Sequence, residues 1–173
     1  ESFLVELLTK DEQSLGYLDG VDSGSLQWRA FADLPLGGSI HIKNLGQDIN
    51  TSRDRIRVWW AVKGLDPWPL GVCVIAAPGT DYTEDGSDRT LTLIDKLTVV
   101  KDDVLLTTLQ YEAGSNIVAS AIQQIRATGE CRIAATESDA VLTTAMAWGP
   151  GTSRLRVIND LLTAAGYWGL WTD

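Results

Sequence analysis

The chain has 173 residues, of which 45% are hydrophobic, and a formal net charge of −9 at pH 7. This length allows one domain or two small ones, with a buried core. The acidic balance opposes binding to nucleic acid phosphates or to anionic membranes, because both require clusters of Lys and Arg. No apolar run approaches the length of a membrane span, and no segment resembles a signal peptide.

Short runs of β-branched, aromatic and aliphatic residues, separated by turn-prone residues, dominate the first part of the chain. This pattern is typical of a sandwich or a barrel. The predicted strands cover residues 3–8, 25–31, 39–45, 55–62, 70–77 and 91–100. In the third of them, Ile40 and Ile42 share one face and His41 lies on the other.

The strand predicted at residues 55–62 has two distinct faces. Alternation places Ile56, Val58 and Trp60 on one face and Arg55, Arg57 and Trp59 on the other. Trp59 is therefore expected outside the core that its neighbours define, against another layer or another subunit.

An acidic, turn-prone segment at residues 78–88 is predicted to form a solvated hairpin tip or loop. Asp81, Asp85 and Gly86 resemble the opening of a calcium loop. Threonines stand at the third and twelfth positions, where such loops place an acidic ligand or its amide and a glutamate. We therefore favour a plain loop, and Ca²⁺ at Asp81–Asp88 stays open.

The two cysteines and the single histidine indicate no metal or redox centre. Cys73 and Cys131 both lie in apolar runs and are predicted to be small buried hydrophobes. A disulfide between them is the less favoured alternative, because two cysteines are too few to indicate a secreted scaffold. His41 alone cannot form a histidine-rich metal site or an obvious catalytic triad. We expect no cofactor and no enzymatic activity.

Two amphipathic helices are predicted in the last third of the chain. Residues 115–128 have Ser115 as the N-terminal cap, and residues 152–165 have Thr152. Each helix is followed by a glycine, which suits a left-handed stop. The apolar faces of the two helices are expected to pack on each other.

Strands are predicted beside these helices at residues 132–135 and 167–172. The second strand has no following turn, so we expect it to pair with a segment outside this chain. The composition changes near residue 105, which predicts two domains, residues 1–105 and 106–173, the second incomplete. No internal repeat is expected.

Several motifs in order resemble the N-terminal half of minor tail proteins from siphophages of actinobacteria. These motifs are GQDIN, DPWPLGVCVIAAP, RTLTLIDKLTVV, YEAGSNIVASAIQQIRATG and TTAMAWGPGTSRLRVINDLLTAAGYWGLWTD. That family is similar to the baseplate hub, or tail-associated, proteins of long-tailed phages. The resemblance covers residues 20–173 and contains no catalytic signature.

The resemblance implies a structural component of the virion tail tip, assembled in the host cytoplasm. Such proteins form a homotrimeric hub ring that joins the tail tube to the distal receptor-binding or penetration apparatus. Residues 1–105 would be the first β-barrel of the hub, residues 106–173 the start of an α+β region, and a second barrel would follow. The implied partners are the distal tail protein, other tail-tip proteins and the tape measure protein, while genomic DNA passes without specific binding.

A ring of this kind needs exposed anchors for its subunit contacts. The candidates are Trp59, Trp68 and Trp148, with Arg55 and Arg57 as partners for acidic neighbours. Packing within one chain is the equal alternative for the three tryptophans.

Trp171 is a further interface candidate and is also expected to be buried, so that Trp171→Ala would cost ~3–5 kcal/mol of folding stability. We further expect the excess acid to face the central channel, where like charge keeps passing DNA from adhering. The alternative function is a carbohydrate- or receptor-binding module, because the seven tryptophans could also line a sugar groove; an enzyme fragment is the third class.

Overall fold

The computed structural model describes residues 2–30, 32–43, 48–83, 86–130 and 132–172, with the backbone alone at residues 77–78, 80–83 and 86–87. By its contacts the chain divides into two compact units, Glu1–Lys96 with Thr172–Asp173, and Leu97–Trp171. The first is built from strands and the second from helices with a short sheet. The predicted class, mainly β with an α+β second part, is confirmed.

The described residues of the first unit form seven antiparallel strands in one sheet. They are β1 (Ser2–Leu8), β2 (Ser14–Tyr17), β3 (Val21–Trp28), β4 (Leu36–Ile42), β5 (Arg55–Ala61), β6 (Trp68–Thr83) and β7 (Gly86–Asp95). Their order across the sheet is β2-β1-β5-β6-β7-β4-β3.

The sheet is curled but not closed. Its apolar core joins Val5 of β1 to Ile40 of β4, which lie far apart in the strand order, so the sheet bends around one core. β2 and β3 are its two edges among the described residues. The sheet is therefore not closed into the expected barrel, and the described pairing of β2 with β1 ends at Leu18 and Val5.

The core face of this sheet follows the alternation of the sequence. Ile56 and Val58 are buried in the same cluster as Ile40 and Ile42, as predicted, while Arg57 lies on the opposite face. The β3–β4 pair is unusually close. A Cβ on Gly38 would lie 2.0 Å from the carbonyl oxygen of Ser25, so only glycine fits there.

Two boundaries differ from the sequence prediction. The strand expected at residues 91–100 ends at Asp95, and helix α1 (Leu97–Asp102) follows, because Leu97 and Val100 are buried at a helical spacing of three. Strand β6, expected to end at residue 77, runs to Thr83, so the segment expected as a hairpin tip or loop belongs to a long hairpin in which β6 and β7 stay paired as far as Thr83 and Gly86.

The second unit contains α1, β8 (Leu109–Tyr111), α2 (Ile117–Ala127), β9 (Met146–Trp148) and α3 (Arg154–Ala164). Both long helices were predicted, but each is capped one residue later than expected. The side chain of Asn116 accepts from the N–H of Ala119, and that of Ser153 accepts from the N–H of Arg156. Each cap side chain reaches the third amide of its helix, which decides the start.

The second unit contains an internal repeat, which was not predicted from the sequence. Strand β8, a turn and α2 recur as β9, a turn and α3 at a constant offset. The two repeats exchange equivalent contacts: Val104 bridges Ser153, and Val141 bridges Asn116. Such reciprocal pairing relates the repeats by an approximate two-fold axis.

Further pairs obey the same symmetry. Leu105 N–H donates to Thr152 O, and Leu142 N–H donates to Ser115 O, both at 2.9 Å. The glycines of the two turns, Gly114 and Gly151, have φ angles of 86° and 83°. The repeats share turn and cap chemistry but few side chains, so residue identity alone concealed them.

The strands predicted at residues 132–135 and 167–172 are not formed in the described structure. After α3, Tyr167 N–H donates to Leu162 O and Leu170 N–H donates to the side chain of Asn159. These bonds hold the aromatic segment to the helix and remove the amides that a strand would need. Thr172 belongs to the first unit, where its hydroxyl donates to Asp95.

Candidate interaction surfaces

A buried group of charged side chains lies on the outer face of the first unit's sheet. We call it the ion cluster; it consists of Glu6, Glu12, Arg55, Arg57 and Lys96. Lys96 Nζ lies 2.6 Å from Glu12 Oε1, Arg57 Nη2 lies 3.2 Å from Glu12 Oε2, and Arg55 Nη1 lies 3.5 Å from Glu12 Oε1. Glu12 thus holds three cations together.

Glu12 reaches this position through the β1–β2 turn. It has a φ of 59°, the one positive value among the described residues other than glycine. Thr9 closes the turn, accepting from Glu12 N–H and donating its own N–H to Gln13 O. A left-handed conformation costs a non-glycine residue roughly 1–2 kcal/mol. Glycine would avoid that cost but would leave the cations without their shared carboxylate.

The ion cluster accounts for three of the predicted interface residues. Trp59 Nε1–H donates to Glu6 Oε2 at 2.9 Å, and the guanidinium of Arg57 lies 5.5 Å from the centre of the Trp59 ring. Arg55 is buried against Glu12. The structure therefore brings Trp59, Arg55 and Arg57 together, and their acidic partners Glu6 and Glu12 belong to the same chain.

A row of exposed aromatic residues crosses three neighbouring strands. Phe3 is directly opposite Trp60, and Trp60 is directly opposite Trp68. Residues that lie opposite each other on neighbouring strands share one face of the sheet. Trp60 is two residues from Val58, which belongs to the core cluster, so the aromatic row lies on the core-facing side. Trp68, a predicted interface residue, is 69% exposed. The curled sheet does not extend far enough to cover this row.

A cavity of about 480 Å³ lies next to the aromatic row. It occupies the space between β1 and the edge strand β3, and we call it the sheet gap. Its walls include Phe3 and Val5 of β1, Leu26 and Trp28 of β3, and Val58 of β5. The gap is the opening left where the sheet fails to close.

Trp148 is part of the second unit's core, with 8% of its surface exposed. Its Nε1–H donates to Asp160 Oδ2 at 2.9 Å, and its ring meets Tyr111 edge to face. By the two-fold relation, Tyr111 occupies the equivalent place and donates to Gln123. Trp148 therefore packs within its own unit.

Trp171 is 65% exposed, so the expectation that it is buried is wrong. It lies with the still more exposed Trp168 beside an apolar cavity of about 400 Å³ between α2, α3 and the last residues of the unit. Residues 167–172 do not form a strand, so alternate side chains of this segment do not face a core. The loss of stability expected for Trp171→Ala is not supported.

A small polar group lies at the bulge between β3 and β4. Asp22 Oδ2 pairs with Lys43 Nζ, and Asp22 Oδ1 pairs with His41 Nδ1, both at 2.7 Å. The hydrogen bond from Lys43, followed by that from His41, holds the pKa of Asp22 far below its usual range. Asp22 in turn raises the pKa of Lys43. His41 lies on the outer face of β4, as predicted.

In the described part of the chain, no three His, Cys, Asp or Glu side chains lie close enough together to hold a metal ion. The side chains at Asp81–Asp88 that would bind Ca²⁺ lie mostly outside the described residues. Burial raises the pKa of the Cys73 thiol to about 12, and Cys131 lies outside the described residues. No described helix is long and apolar enough to cross a lipid bilayer.

The sequence patterns did not identify Glu6 and Glu12 as members of the ion cluster. They also did not predict that Phe3 and Trp60 are exposed. Glu12 is 43 residues from Arg55 in sequence, so no local pattern could pair them. Phe3 and Trp60 were assigned correctly to strands, but their exposure depends on where the sheet stops curling. The one available signal was the Arg-Ile-Arg-Val alternation of β5, which requires acidic partners on one face.

No protein-family model and no curated protein matches the chain. Among solved structures, the fold is similar to that in the crystal structure of the tail protein from Neisseria meningitidis MC58, with a TM-score of 0.67. The likeness covers 96% of this chain and 46% of that protein, at 10% sequence identity. The shared property is therefore the fold, and the chain spans less than half of that protein's length.

Proposed function

We propose that this chain is a non-enzymatic structural protein of a phage tail, and more specifically part of a trimeric hub ring at the tail tip. The observation that supports the proposal most is the fold likeness to a tail protein over 96% of the chain. The resemblance of the sequence motifs to siphophage minor tail proteins also supports a tail protein. The ring would join the tail tube to the distal receptor-binding or penetration apparatus.

The exposed aromatic row supports a role in assembly. Phe3, Trp60 and Trp68 form a contiguous apolar strip on the first unit, and large aromatic residues are the common anchors of protein interfaces. We assign Trp68 to a subunit contact and Trp148 to internal packing. Arg55 and Arg57 are engaged within the chain and would contribute by holding Trp59 in place.

The partners of the ring would be the distal tail protein, other tail-tip proteins and the tape measure protein. The net charge of −9 is consistent with a channel whose acidic wall lets DNA move through without adhering. An electron microscopy map of the assembled ring would test the channel. A basic bore would contradict this part of the proposal without affecting the ring itself.

The oligomeric state tests the ring. Native mass spectrometry of the full-length protein is expected to give a trimer, and Trp68→Ser is expected to weaken it. Leu106→Ser is a suitable control, because Leu106 is an even more exposed apolar side chain of the second unit. A stable monomer that binds no other tail protein would contradict the hub proposal.

The alternative function, a carbohydrate- or receptor-binding module, draws support from the same exposed tryptophans. Aromatic rings can stack on sugars as well as on side chains. A glycan array with the full-length protein separates the two proposals. Binding of one glycan class that Trp68→Ser abolishes would favour the binding module.

A further inference from the structure

The cavity of about 400 Å³ in the second unit has an apolar floor and two segments of chain beside it. We call it the helix cavity. Its floor comes from α2 and α3, through Val118, Ala121, Ile122, Ile125, Ile158 and Leu162. Its other lining residues lie in two segments, 133–138 and 167–171. All of these residues belong to one compact unit, so the helix cavity is a feature of that unit alone.

Two tryptophans line the helix cavity and remain largely open to solvent. Trp168 is 82% exposed and Trp171 is 65% exposed. Among the described residues, neither indole has a hydrogen-bond partner, a ring contact or a cation over its face. Large apolar surfaces left exposed beside a cavity are typical of sites that bind another molecule. Both rings are therefore available to a ligand.

The fold of the repeat does not require the indole of Trp171. Trp171 lies as many residues after the cap Ser153 as Ala134 lies after the cap Asn116, so the two positions are equivalent in the two repeats. Both residues line the helix cavity. The first repeat thus has a methyl group where the second has an indole. The indole adds a wall to the cavity without adding to the core of the second unit.

The charge of the helix cavity favours a cation. Glu137 is the one charged residue among the described residues that line it. The carboxylate of Glu137 has no hydrogen bond or ion pair within the described part of the chain. The faces of aromatic rings are also electronegative, and tryptophan attracts cations most strongly. An anion would be repelled by the same groups.

The volume of the helix cavity favours a small molecule. Small-molecule sites are concave and typically measure roughly 300–1,000 Å³, and this cavity lies at the small end of that range. Stable contacts between proteins instead cover roughly 800 Å² of surface on each partner. The ligand expected from size and charge together is a small cation with an apolar part.

We propose that the helix cavity binds a small organic cation, in which an ammonium group is attached to an apolar body. The ammonium group would lie against the faces of Trp168 and Trp171 and be attracted by Glu137. The apolar body would cover the side chains of α2 and α3 that form the floor. This binding site goes beyond the hub role and does not depend on it.

The probe is (3-hydroxypropyl)trimethylammonium, and its neutral counterpart of the same shape is 4,4-dimethylpentan-1-ol. Each is added to the ¹⁵N-labelled full-length protein while the indole N–H signals of Trp168 and Trp171 are followed by NMR. The cation is expected to shift both signals with a Kd at least ~10-fold lower than that of the neutral compound, a difference of about 1.4 kcal/mol. Equal Kd values, or no shift at millimolar cation, would overturn the proposal.

Two variants separate the roles of the ring and the carboxylate. Trp168→Ala is expected to weaken the Kd of the cation at least ~5-fold, because a cation–π contact is lost. Glu137→Gln is expected to weaken it ~3-fold and to leave the Kd of the neutral compound unchanged, because the ion pair is exposed.

Each variant has a matched control. Trp68→Ala removes a similarly exposed tryptophan of the first unit, and Asp139→Asn removes an exposed carboxylate that does not line the helix cavity. Trp171→Ala replaces Trp168→Ala if circular dichroism shows that the latter is unfolded. Cavity variants that bind the cation as tightly as their controls would contradict the site.

Two further measurements test other occupants. If N-acetylglucosamine shifts the same indole signals at lower concentration than the cation does, the helix cavity is a sugar site and the proposal is overturned. Sedimentation of the free protein tests a second copy. Self-association that Trp168→Ala abolishes would assign the helix cavity to a contact between copies and would likewise overturn the proposal.

Discussion

The two compact units solve the problem of buried polar groups in different ways. The first unit buries charges: Glu12 holds three cations on the outer face of its sheet, and Asp95 is fully buried between Leu36 N–H and the Thr172 hydroxyl. The buried polar residues of the second unit are Ser120, Gln124 and Glu130, two of them neutral. The Gln124 amide donates to the Tyr111 hydroxyl and accepts from Arg154.

The contrast follows from how each unit is assembled. In the first unit, residues distant in sequence meet across strands, and a charge can be neutralised only by such distant partners. In the second, a strand–turn–helix motif occurs twice, and each copy carries its own cap and turn glycine. The first unit should therefore be most sensitive to the loss of long-range charge partners, whereas the second should also respond to the loss of its local caps.

The largest expected effect is on the ion cluster. Glu12→Gln leaves Arg55, Arg57 and Lys96 without their shared carboxylate, and breaking a buried ion pair costs about 3–5 kcal/mol. Urea denaturation followed by tryptophan fluorescence measures the loss. Asp11→Asn, at the exposed neighbouring residue, should change the free energy of unfolding by less than ~0.5 kcal/mol. Equal effects would show that the ion cluster does not stabilise the sheet.

A smaller loss is expected where β3 and β4 approach each other. Gly38→Ala places a Cβ 2.0 Å from Ser25 O, and relieving such a clash costs about 1–3 kcal/mol. In Gly37→Ala the nearest atom is Leu93 O at 3.6 Å, an ordinary contact. The same denaturation experiment should separate the two variants. If Gly37→Ala is the more destabilising, the register of this strand pair is wrong.

The caps of α2 and α3 test whether the two repeats are equivalent. Asn116→Ala and Ser153→Ala should each cost ~1 kcal/mol, with Asn116 the larger because its amide also donates to Ser138 O. Thermal unfolding monitored by helical circular dichroism measures both. Ser115→Ala and Thr152→Ala, at the caps that the sequence predicted, should have smaller effects. Larger losses of stability for Ser115→Ala and Thr152→Ala would show that the helices are capped at the residues predicted from the sequence.

The smallest effect concerns Asp22, which is exposed at the sheet edge. Its pKa lies below the usual 3.8 because Lys43 and His41 stabilise the carboxylate. Any stability from these contacts is present above pH 3.8 and is lost as the pH falls through the lower folded-state pKa. A carboxyl NMR titration should show Asp22 still ionised at pH 3.8, and Lys43→Met should raise its pKa more than His41→Ala does. An Asp22 that titrates normally in the unmodified protein would contradict the pairing.

The alternation of β5 predicted correctly that Ile56 and Val58 face the core and that Arg57 and Trp59 do not. Helical spacing likewise predicted α2 and α3 within one or two residues. The strands expected at residues 132–135 and 167–172 fail because their β-forming residues have no described partner strand. The exposure of Trp171 has the same cause, since a side chain is buried only when something packs on it.

The sequence alone determined the local part of this protein: which residues alternate, which recur at helical spacing, and where the two long helices stop. Those features depend on neighbours two to four residues away. Only the tertiary structure decided the strand order, the open edge of the sheet, the three cations around Glu12 and the two-fold pairing of the repeats. Each of these requires residues far apart in the chain to meet, and no periodicity in the sequence records where they do.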